Sequence, residues 1–196
     1  MKVSVITVVF NGEDYISDAI TSIQSQDYKN IEHIIIDGLS TDRTPQIIAK
    51  YKHTNMAVVR ESDEGLYDAM NKGLALARSE WLLFLNAGDV FCSESSVQDF
   101  VKNIKPDDHF LYADSIDIDT NKIHPYRTIE DRCLGMFLDH QTLLGKTEIL
   151  GKLKFDSTYR IAGDYDIVMR ALNGGYNFRK IENFAFCLKP FKQGAS

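Results

Sequence analysis

Cysteine and proline are sparse in this chain, and several kinds of sequence run are missing altogether. The three cysteines, Cys92, Cys133 and Cys187, are scattered and form no C-x-x-C pair. An odd, dispersed set supports neither a disulfide framework nor a zinc site, and it points to a reducing cytoplasm. No stretch approaches the roughly 20 consecutive apolar residues of a membrane helix. The opening Met1-Lys2-Val3-Ser4-Val5-Ile6 runs straight into a strand pattern and meets polar Asn11 too early for a signal peptide. A soluble cytoplasmic protein is expected, with peripheral contact at the inner face of a membrane left open. No basic run exceeds a pair and the formal charge is −6, so nucleic acid is excluded as a partner. Dinucleotide (G-x-G-x-x-G), Walker (G-x-x-x-x-G-K-[ST]), zincin (H-E-x-x-H) and nucleophile-elbow (G-x-S-x-G) signatures are all absent.

What is present is enough for one substantial core. With 196 residues, 44% of them hydrophobic, a single domain over 1–196 is expected. Val3 to Val9 is almost wholly β-branched or apolar, as in a strand buried on both faces. Ile16, Ala19, Ile20 and Ile23 recur at helical spacing up to Gln26. Ile31 to Ile36, Met56 to Val59 and Trp81 to Leu85 read as further strands. Thr44 to Lys52, with Pro45 in its first turn, and Leu66 to Ala77 read as helices. Alternation of this kind predicts an α/β fold with a mostly parallel central sheet flanked by helices. The back half, 91–196, is less regular. Ser93 to Asn103 reads as a helix, His109 to Ile118 as a strand, and a hairpin is expected around Asp119-Thr120-Asn121-Lys122. Asp164 to Leu172 reads as a helix closed by Gly174-Gly175, and Phe178 to Leu188 as a strand.

Acidic clusters follow one another at the ends of these elements: Asp37 to Asp42, Asp63-Glu64, Asn86 to Asp89, and Gly163 to Asp166. In an open α/β sheet, ligands bind outside the carboxyl ends of the strands. Carboxylates gathered there repel one another unless a cation or a donor-rich ligand separates them. The acidic balance suits Mg²⁺ or Mn²⁺, hard cations that prefer oxygen. Ser40, Thr41 and Asp42 are read as turn and cap residues, and Asp37 as a ligand contact. Asp164 and Asp166 lie two apart at a helix start, so only one of them faces the crevice readily. An N-cap role and a general-base role both stand for Asp164. Trp81, Tyr67 and Met70 are expected in the core.

Taken together, these segments resemble family 2 glycosyltransferases, inverting enzymes of the GT-A fold, in a bacterial surface-polysaccharide type. The resemblance rests on Val3 to Asn11, on Ile20 to Gln26, on Ile34 to Thr44 against I-I-V-D-D-G-S-T-D-G-T, on Ser62 to Gly73, on Phe84 to Asp89, and on His140-Gln141 with Phe155 to Arg170. It implies a nucleotide-sugar-binding half over 1–90 and an acceptor-binding half over 91–196. Asp37 would take the nucleotide base, typically uracil, in a pocket lined by the Thr7, Val9 and Asn11 segment. Asp63, Asn71 and Asn86 would lie beside the nucleotide. Asp89 matches the metal-binding aspartate of a D-x-D motif, for Mn²⁺ or Mg²⁺, and Asp164 matches the catalytic base. His140, Gln141 and Asp166 fall on the acceptor side, facing a saccharide or lipid-linked saccharide. Three positions depart from the pattern: Asn86 and Gly88 replace acidic residues, and Gly163 stands where a glutamate is common. The ending Gly194-Ala195-Ser196 resembles the start of a longer carboxyl-terminal region.

The expected reaction is metal-dependent transfer of a sugar, with a UDP-sugar favoured as donor, in polysaccharide biosynthesis. Two rivals stand beside it. A non-catalytic nucleotide-sugar binder fits the changes at Asn86 and Gly88. A sugar nucleotidyltransferase would need a glycine-rich basic loop after the first strand, where this chain has Phe10-Asn11-Gly12-Glu13-Asp14.

Overall fold

The computed structural model describes residues 1–117, 120, 122–124, 126, 129 and 137–189. The predicted strands of the front half form almost as read: β1 (Val3–Val9), β2 (Ile31–Asp37), β3 (Met56–Arg60) and β4 (Trp81–Phe84). Between them lie α1 (Ile16–Gln24), α2 (Thr44–Lys50) and α3 (Leu66–Leu76). These four strands pair in the order β3-β2-β1-β4, and every ladder among them is parallel. All seven residues of β1 are buried, as its uninterrupted β-branched sequence requires.

The back half adds β5 (Val90–Phe91), α4 (Ser96–Asn103), β6 (Phe110–Asp117) and β7 (Ile123–His124). A short 3-10 turn (His140–Thr142) then leads into β8 (Leu143–Lys146), α5 (Thr147–Leu153), α6 (Gly163–Asn173) and β9 (Phe178–Lys189). The sheet continues from β4 as β8-β6-β9-β5, with β7 on β6. Six strands (β1, β2, β3, β4, β6, β9) run one way, and β5, β7 and β8 run against them. The sheet is therefore mostly parallel, but β8 is inserted antiparallel between β4 and β6.

Alternate residues of the strands feed two cores. On one face Ile6, Val8, Ile34, Ile36 and Phe84 pack under α3, α5 and α6. On the other, Val3, Val5, Leu83 and Leu85 meet Phe100 of α4, while Val9 and Ile35 meet Ile16 and Ile20 of α1 and Ile48 of α2.

Several boundaries differ from the sequence reading for identifiable reasons. Helix α1 stops at Gln24 because Gln26 serves another purpose: its side chain donates to the carbonyls of Ser22 and Ser93 and accepts from Val97 N–H, tying α1 to α4. Strand β8 and helix α5 carry no long periodic run and went unread. The C-terminus of α6 does close at Gly174-Gly175, where Gly175 takes φ +82° and Tyr176 N–H reaches back to the Ala171 carbonyl. Residues 118–119, 121 and 190–196, which include parts of the expected hairpin and the final tail, lie outside the described residues, as does Cys133.

Candidate active site at the carboxyl edge of the sheet

Each parallel strand delivers its following loop to the same edge, and the backbone is unusual there. Asn11, Leu39 and Ala162, none of them glycine, take positive φ (49°, 63° and 68°), as do Gly65 and Gly88. All five lie in loops that follow β1 to β4 or precede α6. Left-handed conformations at non-glycine residues are costly and persist where surrounding bonds fix them.

Those bonds can be followed around the edge. The Asn11 N–H donates to Ser40 Oγ (2.9 Å), and Asn11 Oδ1 accepts from Thr41 N–H (2.8 Å). Asp42 accepts from the N–H groups of Glu13 and Thr44, and Gly12 N–H donates to Thr44 Oγ1. The turn role expected of Ser40, Thr41 and Asp42 is thus to splice the loop after β1 onto the loop after β2. Ser40 N–H in turn donates to Asp37 Oδ1 (2.9 Å).

Asp37 is 1% exposed, and its Oδ2 receives Arg60 Nε at 3.1 Å. Arg60 also donates to the Ser40 carbonyl (2.8 Å). Arg60 was not singled out from sequence; its only signal was a cation ending β3 in register with Asp37. Gly38 leaves room for the Asp63 carboxylate, since a Cβ at Gly38 would sit 2.2 Å from Asp63 Oδ2. Asp63 Oδ1 accepts from Gly65 N–H at the start of α3. Phe10 and Leu39 stand exposed beside this corner.

Helix α3 continues the circuit through Tyr67, whose ring stacks on Phe155 and whose hydroxyl lies 3.4 Å from Asp164 Oδ1. Tyr67 is a core residue, as read, but its polar end serves the site. It also explains the departure at Gly163: a Cβ there would meet the Tyr67 ring at 2.7 Å.

Asp164, in the first turn of α6, is the carboxylate that turns inward. Its Oδ2 lies 3.6 Å from His140 Nδ1, and its Oδ1 accepts from Tyr165 N–H (3.0 Å). Burial pushes its pKa up, but His140 and the Tyr165 N–H more than offset this and hold it below the ordinary value. Burial, with the Asp164 charge, raises the Tyr67 pKa. Below the Asp164–His140 pair lies a narrow pocket walled by Phe84, Leu143, Leu150, Phe155, Ile167 and Val168.

The antiparallel strand β8 is what brings His140 here. Because Leu82 pairs with Gly145, the turn preceding β8 arrives at the carboxyl end of β4. There His140 Nε2 sits 2.9 Å from Asn86 Nδ2. Asn86 Oδ1 is buried and has no hydrogen-bond partner among the described residues, as does Gln141 Oε1. Asp89 follows in the same loop, 6% exposed, with its N–H on the Asn86 carbonyl. Ala87 N–H reaches the Val8 carbonyl (3.4 Å), which ties the loop after β4 to the end of β1.

At four of the expected site positions the side chain is engaged in the scaffold. Thr7 is fully buried; its hydroxyl donates to the Leu85 carbonyl and accepts from His33 Nε2, so its side chain faces the core. Val9 is likewise packed between the sheet and α1. Asn71 uses both ends of its amide on the Phe155 backbone (2.8 and 2.9 Å), which clamps α3 to the segment before α6. Asp166 is held by Arg170, which also binds the Leu153 and Lys154 carbonyls. These four side chains serve the scaffold.

Among the described residues, no three His, Cys, Asp or Glu side chains gather in a group that could hold a metal ion. Mg²⁺ and similar hard cations are often held by one or two carboxylates plus substrate phosphates. A buried Asp89 beside Gly88, outside any such group among the described residues, fits that shared mode. Among the described residues, no helix is long and apolar enough to cross a membrane.

Comparison with known proteins agrees with this architecture. A mycobacterial relative, the PGL/p-HBAD biosynthesis glycosyltransferase of Mycobacterium bovis, is 30% identical over 178 residues, covering 87% of this chain and 69% of that protein. A glycosyltransferase of Methanocaldococcus jannaschii, itself uncharacterized, is 26% identical over 93% of this chain and 68% of its own. The fold matches that of S. aureus TarS, solved in complex with UDP, at TM-score 0.83 and 23% identity, over 97% of this chain and 60% of TarS. It also matches the mannosyltransferase PcManGT of Pyrobaculum calidifontis, solved with GDP-Man and Mn²⁺, at TM-score 0.77 and 18% identity, over 99% and 58% of the two chains. This chain therefore spans less than two thirds of those solved proteins. The model of the family described as "Glycosyl transferase family 2" matches residues 4–173, and the chain belongs to that family.

Proposed function

We propose that this chain carries the catalytic site of a metal-dependent inverting glycosyltransferase, which moves a sugar from a nucleotide-sugar donor, a UDP-sugar by preference, to a hydroxyl of a saccharide or lipid-linked saccharide in polysaccharide biosynthesis. The single observation that carries the reading is the run of contacts along the carboxyl edge of the sheet, with Asn11 and Asp37 joined through Ser40, Asp63 set against Gly38, and Tyr67, Asp164, His140 and Asn86 following one another.

In this reading the nucleotide lies over the front-half loops. Asp37 is held by Arg60 and Ser40, so its carboxylate meets a base as part of a fixed corner with Asp63. Exposed Phe10 and Leu39 offer apolar surface to the flat ring. Asp89 would hold Mn²⁺ or Mg²⁺ against the donor's diphosphate, and the cation supplies Lewis-acid stabilisation of the departing charge. The acceptor enters from the α6 side, where Tyr159 and Ile161 are exposed just before Asp164.

Asp164 acts as general base. Its depressed pKa keeps it ionised near neutrality, ready to accept the acceptor's hydroxyl proton. The hydroxyl oxygen forms its bond to the anomeric carbon as the bond to the diphosphate oxygen breaks. The proton ends on Asp164 and the nucleoside diphosphate leaves, so configuration at the anomeric carbon inverts.

The test is release of nucleoside diphosphate from UDP-, GDP-, CDP- and dTDP-sugars, with and without Mn²⁺. Metal-dependent release from one of these donors is expected. No release from any of them, alongside measurable binding, would leave a binder and overturn the proposal.

A further inference from the structure

The departure at Asn86 acquires a reason once its neighbour is considered. Asn86 Nδ2 faces His140 Nε2 at 2.9 Å. An amide nitrogen only donates, so the ring nitrogen facing it is a bare acceptor and the ring proton sits on Nδ1. Nδ1 is the atom turned toward Asp164 Oδ2, at 3.6 Å. That is longer than a formed hydrogen bond, and such contacts commonly tighten only in the reacting complex. The reverse orientation of the amide would put its oxygen on Nε2 and demand a proton there. Nδ1 would then face the carboxylate with a lone pair, unless the ring carried two protons. The two arrangements differ by which ring nitrogen carries the proton, and only the first presents an N–H to Asp164 on a neutral ring.

Resting on the assignment of Asp164 as the base, we propose that His140 is a positioning residue, locked by Asn86 as the neutral Nδ1–H tautomer so that it orients the Asp164 carboxylate without neutralising it. An aspartate at position 86, as in acidic versions of the motif, would draw a proton onto Nε2. His140 would become an imidazolium between two carboxylates, and Asp164 would be a weaker base. Asparagine in this chain is thus matched to His140. The groups facing the pair limit what else can titrate with it. Asp164 comes from α6 and Tyr67 from α3, while the pocket behind them is walled by apolar residues such as Phe84, Leu143, Phe155 and Ile167.

Four variants of the chain test this, each assayed for transfer, for donor KM and for thermal unfolding. His140→Phe should lower kcat about 10- to 100-fold with donor KM little changed, the usual scale for loss of an orienting partner. His140→Gln, which can still present an N–H to Asp164, should recover part of that loss. Asn86→Asp should lower kcat with donor KM little changed. Imidazole ¹⁵N shifts should show a protonated Nδ1 and bare Nε2 in the wild type and two protonated nitrogens in Asn86→Asp. Wild-type kcat in a folded His140→Phe, or a doubly protonated His140 in the wild type at neutral pH, overturns the inference. Asp164→Asn is the separating control: if it is inactive while His140→Phe is normal, the base assignment stands and the positioning role falls. If Asp164→Asn is active, the base assignment itself falls.

Discussion

The two halves of this chain build the same site by different means. In the front half, four parallel strands each end in a loop, and the loops are spliced to one another by side-chain to backbone bonds such as Asn11 with Thr41 and Asp42 with Glu13. In the back half, His140 and Asp164 arrive through one antiparallel strand and one helix start, and they meet the front half at Asn86 and Tyr67. The front half is held loop to loop, whereas the back half reaches the same edge from β8 and α6. Substitutions in the front-half splices are expected to register mainly as stability, and those at His140 and Asp164 mainly as turnover.

The largest expected effect lies in the back half. Asp164→Asn should reduce transfer by roughly 10²–10⁴, the range for a lost general base, while leaving donor affinity and unfolding temperature near wild type. A variant that also fails to bind donor would erase the distinction between the halves.

The front half should show its character in acid. His33 is completely buried in β2, and burial, with the charge of His53, pushes its pKa down to about 3 from an ordinary 6.5. Below pH 6.5 the unfolded chain takes up a proton that the folded chain refuses. The contribution is intact above pH 6.5 and is lost as pH falls toward 3, at up to about 1.4 kcal/mol per pH unit. Urea unfolding between pH 7 and pH 4 should show this slope, and His33→Gln should flatten it. An equal slope in both proteins would remove His33 as its source.

Smaller effects sharpen the boundary between scaffold and site. Asn71→Ala removes two hydrogen bonds to the Phe155 backbone and should cost about 1–3 kcal/mol in unfolding, with donor KM unchanged. A raised KM with unaltered stability would return Asn71 to the nucleotide. Gly163→Ala places a methyl group against the Tyr67 ring and should cost about 1–3 kcal/mol from overpacking. Its effect on kcat should exceed that of Asn71→Ala, because Tyr67 and Gly163 both adjoin Asp164.

How much of this was legible beforehand follows the same division. Strands with β-branched runs, Ile31 to Ile36 above all, announced themselves, and parallel order put their loops on one edge. Strand β8, Leu143–Lys146, is four residues long and includes Gly145, too little for any periodicity to register. Without it, His140 had no visible reason to approach Asn86. Asp164 was readable as the inward carboxylate only as one of two, and the Asp166–Arg170 pair decides between them. Motif position does not say which way a side chain points, so the core-facing hydroxyl of Thr7 and the Asn71 clamp on Phe155 were not legible. Arg60 escaped notice because its partnership with Asp37 depends on β2–β3 register.

Sugar transfer at this edge requires Asp89 and a nucleoside diphosphate to share one cation where both halves meet. Calorimetric titration of UDP into the wild-type chain and into Asp89→Asn, each with and without Mn²⁺, tests this directly. The wild type should bind UDP at least about tenfold more tightly with Mn²⁺, a gain of about 1.4 kcal/mol, and Asp89→Asn should lose that gain. UDP affinity indifferent to Mn²⁺ in the wild type, or a metal-dependent gain that survives in Asp89→Asn, would contradict it.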